Sequence, residues 1–249
     1  MDPAEYPRMF QAETRHWWYL GMNAISRALL RRFLPPAPTR KILDAGCGTG
    51  AAMAFLLPEF GEVSGMDNSP LALKGCRARG LTRLAQASVE ASPFPAESFD
   101  LLVSFDVLYE SGVRSDERAL AEFFRLLRPG GWLLLRLPAY NFLRGQHDRT
   151  VHTARRYRAS QLIGLLRQCG FLVRHCTYAN TWLFPLIAAK RLAERFFPPA
   201  PGASDVAFSA GLLNRPLEKL LASEAPLAAR FSLPFGLSVF ALAQKPLSA

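Results

Sequence analysis

The chain of 249 residues predicts an α/β fold, in which helices pack on an open, doubly wound parallel sheet. Apolar strand-like segments alternate with amphipathic helical segments along most of its length, a pattern typical of parallel sheets. A glycine-rich turn, 46–50, follows the first of these strands, and a lone carboxylate, Asp67, ends the second. Ligands of open parallel sheets bind beyond the carboxyl ends of the strands, so the turn and the carboxylate would both lie at a ligand site.

The elements follow one another in a regular order. Apolar residues recur at steps of three or four from Trp18 to Phe33, which predicts an amphipathic helix that Pro35 and Pro36 end. The strands expected after it are 41–45, 62–67, 84–88, 99–107, 132–137, 171–176 and 237–243. Helices are expected from residue 50, from residue 69, over 115–127 and from residue 160 to a stop at Gly170.

A long segment separates the last two expected strands. It spans about sixty residues, more than a connection in a compact domain needs, so we interpret most of it as a helical cap. Within it, one helix begins behind Pro185 and ends before 198–202. Its apolar stripe consists of Leu186, Ala189, Ala193 and Phe196. Because basic residues flank the stripe, it is compatible with packing on the core, which we favour, and with contact with a membrane surface.

The glycine turn and Asp67 form a nucleotide-binding pattern. Gly46, Gly48 and Gly50 lack a β-carbon, so a ligand can lie against bare backbone at the N-terminus of the next helix. The Asp67 carboxylate can accept hydrogen bonds from both hydroxyls of a ribose. The spacing from Gly46 to Ala51 also satisfies the dinucleotide fingerprint, so the pattern alone leaves an NAD-dependent oxidoreductase open. A turn and helix cap without a ligand is the plainer alternative.

Three segments resemble class I S-adenosylmethionine-dependent methyltransferases. Leu43–Gly50 is similar to the glycine-rich first motif of that family, with Asp44 two residues before the first glycine. Phe94–Leu108 looks like the family's fourth-strand segment, and Leu126–Leu135 like its turn into the fifth strand. The resemblance implies S-adenosylmethionine as the cofactor. It also implies a Rossmann-like sheet of seven strands, mostly parallel, with an antiparallel last strand.

The resemblance further implies which residues contact the cofactor. They are Asp44, Gly46, Cys47, Gly48, Asp67, Asn68, Ser88, Val89 and Phe105. Asp44 would help to hold the methionyl end, Asn68 would flank the adenine, and Phe105 would present backbone beside the methionine moiety. Ser88 and Val89 stand where many relatives carry an acid that contacts the adenine amine, so a hydroxyl and an apolar wall would replace that acid here.

Methyl transfer from a sulfonium mainly requires that nucleophile and methyl group be aligned, because the donor is already activated. A general base is needed when the acceptor is a weakly acidic hydroxyl. The loop after the fifth strand carries His147 and Asp148, our candidate catalytic pair, since a neutral imidazole can take a proton near pH 7. A loop histidine with structural hydrogen bonds is the alternative. Residues expected to contact the acceptor are Trp17, His152, Arg156 and Tyr157.

Composition is that of a compact enzyme, with 50% hydrophobic residues and a net charge of +10 that comes chiefly from arginine. The arginines are scattered over expected helix faces, which favours a solvated basic surface, and we expect no nucleic-acid partner. The arginines between 149 and 158 are clustered and would suit a phosphate or carboxylate of the acceptor. Four cysteines without C-x-x-C spacing predict free thiols and no metal site. No apolar run approaches the ~20 residues that span a bilayer, so we expect a cytoplasmic protein.

We therefore expect a methyltransferase that moves the methyl group of S-adenosylmethionine to a small-molecule acceptor or to a glycan or lipid-linked acceptor. Four short stretches resemble a subgroup of bacterial small-molecule methyltransferases: Glu13–Tyr19, Pro138–Asn141, His147–Asp148 and Leu233–Ser238. The expected organisation is an N-terminal helical lid (1–36), a cofactor-binding core (37–180), a helical cap insertion (181–230) and a last strand that completes the core (231–249). A non-catalytic relative that binds a partner or membrane through its cap remains open.

Overall fold

The computed structural model describes residues 2–34, 39–145, 148, 152–196 and 211–247. The strands are β1 (Lys41–Ala45), β2 (Glu62–Asp67), β3 (Leu84–Gln86), β4 (Phe99–Phe105), β5 (Leu127–Pro138), β6 (Leu172–Ala179) and β7 (Ser238–Gln244). The helices are α1 (Glu5–Ala12), α2 (Trp17–Phe33), α3 (Ala51–Phe55), α4 (Pro70–Ala78), α5 (Asp116–Leu126), α6 (Ala159–Gln168), α7 (Phe184–Phe196), α8 (Asn214–Ala222) and α9 (Ala225–Arg230). Four features of the sequence analysis lie outside the described residues: Pro35 and Pro36, His147, Arg149, and the segment 198–202.

The strands form one sheet in the order β3-β2-β1-β4-β5-β7-β6. The neighbours from β3 to β5 pair in parallel, whereas β7 runs antiparallel to both β5 and β6. The Rossmann-like fold with an antiparallel last strand is therefore confirmed. Because β1 lies between β2 and β4, the strand order reverses beside it, and the carboxyl ends of these strands border the crevice in which such sheets bind ligands.

Two apolar clusters cover the two faces of the sheet. Leu43 of β1 contributes to the cluster under α5 and α6, whereas its neighbour Ile42 contributes to the cluster under α2, α8 and α9. Successive strand residues point to opposite faces, and here both faces are buried, which accounts for the uninterrupted apolar strands. Met22, Ile25 and Leu29 of α2 are fully buried. This helix therefore packs on the sheet, and α1 is the N-terminal element that lies over the glycine turn.

Strand ends differ from expectation where the backbone departs from extended geometry. β4 ends at Phe105 because Asp106 adopts a left-handed conformation with a φ of 58°. β5 begins at Leu127 rather than at Trp132, because Leu127 pairs with Phe99 before a register shift, and Gly130, with a φ of 78°, lies within the shifted stretch. The residues expected to form a turn before this strand are therefore part of β5 itself.

The prediction that its apolar stripe packs α7 on the core is wrong. Leu186 is 68% exposed, and Ala189 and Ala193 are exposed as well. The side of α7 that contacts the protein carries Phe184, whose ring centroid lies 5.7 Å from that of Tyr140. Contacts among aromatic rings hold this helix in place, and they are made by a residue outside the aliphatic stripe. Among the described residues, no helix has both the length and the apolar character needed to cross a bilayer.

Replacement of Phe123 by alanine tests the packing of α5. This side chain is fully buried against the sheet, so Phe123→Ala should lower the free energy of unfolding by about 3–5 kcal/mol through lost burial and a cavity. Urea unfolding measures the change, with Leu212→Ala as the control, because Leu212 is 98% exposed and should shift stability by less than about 0.5 kcal/mol. Equal effects of the two substitutions would contradict the described core.

Candidate cofactor and active site

The glycine turn lies at the carboxyl end of β1 in a conformation that requires glycine. Gly46 and Gly48 have φ values of 82° and 53°. A β-carbon on Gly46 would come within 2.3 Å of the Val107 side chain, and one on Gly48 would lie 3.2 Å from the methyl group of Met9. Side chains of Val107 and Met9 therefore pack close to the two glycines. The turn has no side chains of its own at these positions, so a ligand could lie against its backbone.

Asp67 meets the glycine turn across the β1–β2 pair. Its Oδ2 accepts a hydrogen bond from the backbone N–H of Gly48 at 3.0 Å, and its Oδ1 accepts one from Ser69 at 2.8 Å. The structure thus brings together the two features that the sequence analysis combined. The carboxylate ties the turn to the start of α4, and each oxygen keeps a lone pair for a ribose hydroxyl. Burial raises the pKa of Asp67.

Asp44 lies buried at the end of β1, below the turn. Burial raises the pKa of its carboxyl to about 8, and the negative charges of Glu13 and Asp67 add to this shift while Arg136 opposes it. Burial also raises the pKa of Glu13, although hydrogen bonds from Thr49 and Arg79 lower it. Buried carboxyls whose ionisation is disfavoured are suited to a cationic ligand, which would stabilise the charged forms.

Cys47 turns its side chain away from the cleft. Its Sγ lies 3.8 Å from that of Cys76, in a small apolar cluster with Met53 and Leu73. The contact with Cys76 and burial both raise the pKa of the Cys47 thiol, so a reactive thiolate is disfavoured. Like Gly46 and Gly48 beside it, Cys47 can therefore contact a cofactor only through its backbone.

The end of α1 and the turn that follows it are fastened onto the glycine turn. The Glu13 carboxylate accepts hydrogen bonds from the hydroxyl of Thr49 and, at 3.0 Å, from Arg79. Arg79 also donates to the backbone oxygens of Thr49 at 2.8 Å and of Phe10 at 2.7 Å. None of these three side chains was assigned a role from the sequence, because the contacts join residues 36 and 66 positions apart. The available signal was that Glu13 is an acid within the segment expected to form the lid.

Arg136 and Asp106 form a buried ion pair at the carboxyl ends of β5 and β4. The Arg136 Nε donates to Asp106 Oδ2 at 2.7 Å. The guanidinium carbon lies 5.0 Å from the Trp18 ring centroid and 4.8 Å from that of Phe105. The Phe105 side chain therefore packs against Arg136, which holds the end of β4 in place beside the cleft. Neither Arg136 nor Asp106 was singled out from the sequence, since each falls inside a strand segment quoted for its apolar pattern.

The residues expected beside the adenine have local roles. The backbone oxygen of Asn68 accepts a hydrogen bond from Gln86 Nε2 at 3.3 Å, and the Asn68 side chain is exposed. The Ser88 hydroxyl accepts one from the backbone N–H of Glu90 at 3.2 Å, while Val89 is buried in the core. Their contact with adenine stays a prediction.

The loop that follows β5 is fixed by an ion pair between two of the predicted site residues. Arg156 donates to both oxygens of Asp148, at 2.8 and 3.1 Å, and the backbone N–H of Gly145 donates to the same carboxylate at 2.7 Å. Although burial opposes it, the hydrogen bonds and charge of Arg156 hold the pKa of Asp148 below its usual range. Asp148 thus remains an anion that pins the loop, and its catalytic pairing with His147 stays a prediction.

The other expected acceptor contacts are mostly committed elsewhere. Tyr157 is 4% exposed, and its hydroxyl donates to Asp116 at 3.0 Å. The backbone N–H of Trp17 donates to Asn214 Oδ1 at 2.9 Å. The side chains of Trp17 and Trp18 both pack against the apolar cluster under α2, α8 and α9. The His152 side chain is exposed. Since Arg156 pairs with Asp148 and Arg155 with Asp116, the expected basic cluster is largely neutralised by acids of this chain.

The part of the chain that the structure describes contains no group of three or more His, Cys, Asp or Glu side chains arranged to hold a metal ion. All four cysteines are free.

Comparison with known proteins agrees with this geometry. Residues 43–135 match the model of the methyltransferase domain family. An uncharacterized methyltransferase of Bacillus subtilis is 39% identical over 119 residues, which cover 46% of this chain and 49% of that protein. A trans-aconitate 2-methyltransferase of Deinococcus radiodurans is 31% identical over 131 residues, which cover 49% of this chain and 45% of that protein. The chain matches only about half the length of these curated relatives.

Solved structures share the fold over nearly the whole chain. A putative methyltransferase of Haloferax volcanii, solved with the Trm112 methyltransferase activator, superposes with a TM-score of 0.64 at 19% identity and covers 99% of this chain and 96% of its own. A possible histamine N-methyltransferase of Thermotoga maritima gives a TM-score of 0.57 at 19% identity, with 97% and 95% covered. At these identities the likeness establishes the fold.

The raised pKa of Asp44 predicts a pH-dependent effect of Asp44→Asn on stability. Because the pKa is about 8 in the folded chain and ~3.9 in the unfolded chain, the neutral carboxyl is favoured on folding, and this stability is lost as the pH rises from about 4 to about 8. Asparagine has the same shape without the charge. The variant should therefore gain stability relative to the parent, by about 1 kcal/mol per pH unit across that range.

Urea unfolding at several pH values measures this difference. Glu62→Gln is the matched control, because that carboxylate is 58% exposed at the start of β2, and its effect should be nearly constant with pH. A pH-independent difference between Asp44→Asn and the parent would contradict the described environment of Asp44.

Proposed function

We propose that this chain is a class I S-adenosylmethionine-dependent methyltransferase and that it transfers the cofactor's methyl group to a small-molecule acceptor or to a glycan or lipid-linked acceptor. One observation carries the proposal: the Gly48 N–H donates to Asp67 Oδ2 at 3.0 Å, at the carboxyl ends of adjacent parallel strands. This contact brings a bare-backbone turn next to an acid that would accept hydrogen bonds from a ribose.

The residues of the cleft fit the cofactor. The turn at Gly46 leaves no room for a β-carbon, and Asp67 has lone pairs for the two ribose hydroxyls. Asp44 lies among other carboxyls, where a positive charge would be stabilised. When bound, S-adenosylmethionine supplies an electrophilic methyl group on a positively charged sulfur. The proposed cofactor-binding residues are Asp44, Gly46, Cys47, Gly48, Asp67, Asn68, Ser88, Val89 and Phe105.

The protein's part in the reaction is to position the acceptor and exclude water. We assign the lid function within the N-terminal segment to α1, because Glu13 and Arg79 fasten its end over the glycine turn. Alignment of nucleophile and methyl group can account for about 7–11 kcal/mol of the barrier, so a rigid cleft matters more than a strong base. For a weakly acidic acceptor, His147 would take the proton, and Asp148 would steady its loop through Arg156.

Two observations bear on the class of acceptor. The D. radiodurans relative is named for trans-aconitate, which makes a small carboxylate a first acceptor to test. Two exposed apolar side chains of α7, Leu186 at 68% and Leu192 at 56% exposure, support a lipid-linked acceptor and peripheral contact of the cap with a membrane.

Calorimetry with S-adenosylmethionine, S-adenosylhomocysteine and NAD tests the cofactor site. The first two should bind and NAD should not, and Asp67→Ala should weaken binding by about tenfold or more because charge-assisted hydrogen bonds are lost. Asp100→Ala is the control: its carboxylate also accepts a backbone N–H, from Lys41 at 2.7 Å, but at the opposite end of the sheet. Undiminished binding by Asp67→Ala, or binding of NAD instead, would overturn the assignment.

Methyl transfer itself is tested by untargeted mass spectrometry of a metabolite and lipid extract incubated with the protein and methyl-labelled cofactor. A labelled product that forms with the parent but not with Asp67→Ala would identify the acceptor. If the parent binds the cofactor but no molecule gains a methyl group, a non-catalytic binding role is favoured instead.

A further inference from the structure

Arg136 is a buried cation at the border of the cleft. It is 5% exposed and lies near the carboxyl end of β5, where its Nε donates to Asp106. The rings of Trp18 and Phe105 lie against its guanidinium group, at 5.0 and 4.8 Å from the central carbon. Since these rings and Asp106 already surround much of the guanidinium, a further polar partner would have to reach its remaining N–H donors, which point outward in the plane of the group.

One of those donors has no partner. The Arg136 Nη1 is buried and makes no hydrogen bond among the described residues. Buried polar groups in proteins are nearly always hydrogen-bonded, and an unsatisfied donor on a charged group is especially costly. An orphaned guanidinium nitrogen beside a ligand cleft is therefore a sign of an absent anionic partner.

The surroundings of Arg136 point to the chemistry of that partner. Its charge acts on the carboxyls of Asp44 and Glu13, which face the same cleft. The other arginine at this border, Arg79, uses its donors on Glu13 and on the backbone oxygens of Thr49 and Phe10. A ligand with a positive group for the acids and a carboxylate for the spare arginine donor would match this arrangement.

We infer that Arg136 binds a carboxylate in the cleft, supplied either by the amino-acid end of the cofactor or by the acceptor. The inference rests on the proposed function, since it takes the cleft to be the cofactor site. Arginine suits this role because its planar fork matches the two oxygens of a carboxylate, and a lysine would not reproduce that fit.

The first experiment compares binding of S-adenosylmethionine with binding of its decarboxylated analogue, measured by calorimetry. If the cofactor supplies the anion, the parent should prefer the intact cofactor by about tenfold or more, and Arg136→Met should abolish that preference. Arg128→Met is the matched control, because Arg128 also pairs with an aspartate, Asp100, but at the amino end of the same strand. The control should keep the parent's preference.

The second experiment tests the acceptor as the source, with trans-aconitate as the probe, titrated into the protein saturated with S-adenosylhomocysteine. If the acceptor supplies the anion, the parent should bind both forms of the cofactor equally well. It should then bind trans-aconitate about tenfold or more tightly than Arg136→Met does. If Arg136→Met keeps the parent's relative affinities for the two forms of the cofactor and also its affinity for trans-aconitate, the inference is overturned.

Loss of Arg136 removes an ion-pair partner of a partly buried acid, so misfolding must be distinguished from loss of binding. The double variant Arg136→Met/Asp106→Asn removes both charges and should restore thermal stability without restoring carboxylate preference. The comparison of the two ligands on the parent needs no variant. If the parent binds neither S-adenosylmethionine nor S-adenosylhomocysteine, the proposed function fails. If it binds both, but neither its preference for the intact cofactor nor its binding of trans-aconitate depends on Arg136, only the role of Arg136 fails.

Discussion

The hydrogen bond from the Gly48 N–H to Asp67 is the contact on which the cleft depends. It joins the turn after β1 to the end of β2, and the N–H groups of Gly46 and Cys47 strengthen the junction by donating to the Met66 oxygen at 2.8 and 3.0 Å. Parallel pairing of the two strands sets this register, with Ala45 opposite Met66. The left-handed glycines and the acid are therefore parts of one unit, in which a change at either strand end displaces both.

Charge within the cleft complements the position of the turn. Burial raises the pKa of Asp44, Glu13 and Asp67, and the charges of Glu13 and Asp67 raise that of Asp44 further, whereas Arg136 lowers the pKa of Asp44 and of Glu13. A zwitterionic methionyl group carries the opposite pattern. The low dielectric that makes such a cluster costly without a ligand also makes it selective, because each unmatched charge is strongly penalised. Stability and recognition are thus opposed in this part of the protein.

Away from the cleft, polar residues that look catalytic in the sequence hold the fold together. Asp148 and Arg156 fix the loop after β5, and Tyr157 donates to Asp116 beneath it. A residue type suited to chemistry is equally suited to satisfying a buried backbone, and only its neighbours distinguish the two uses.

Local pattern was sufficient for the sheet, the glycine turn and Asp67, because strand periodicity, positive φ and a strand-terminal acid are written in neighbouring residues. The exposure of Leu186 on α7 was not accessible in this way, since an apolar stripe does not say which side of a helix meets aromatic rings from distant loops. Likewise, the fastening of Glu13 by Arg79 and the orphaned donor of Arg136 arise only when the chain brings together side chains far apart in sequence. Sequence alone predicted the fold and, through a family resemblance, the class of cofactor to test. Tertiary packing decided which charges come together beside the glycine turn, because burial and partner distance are properties of the folded chain.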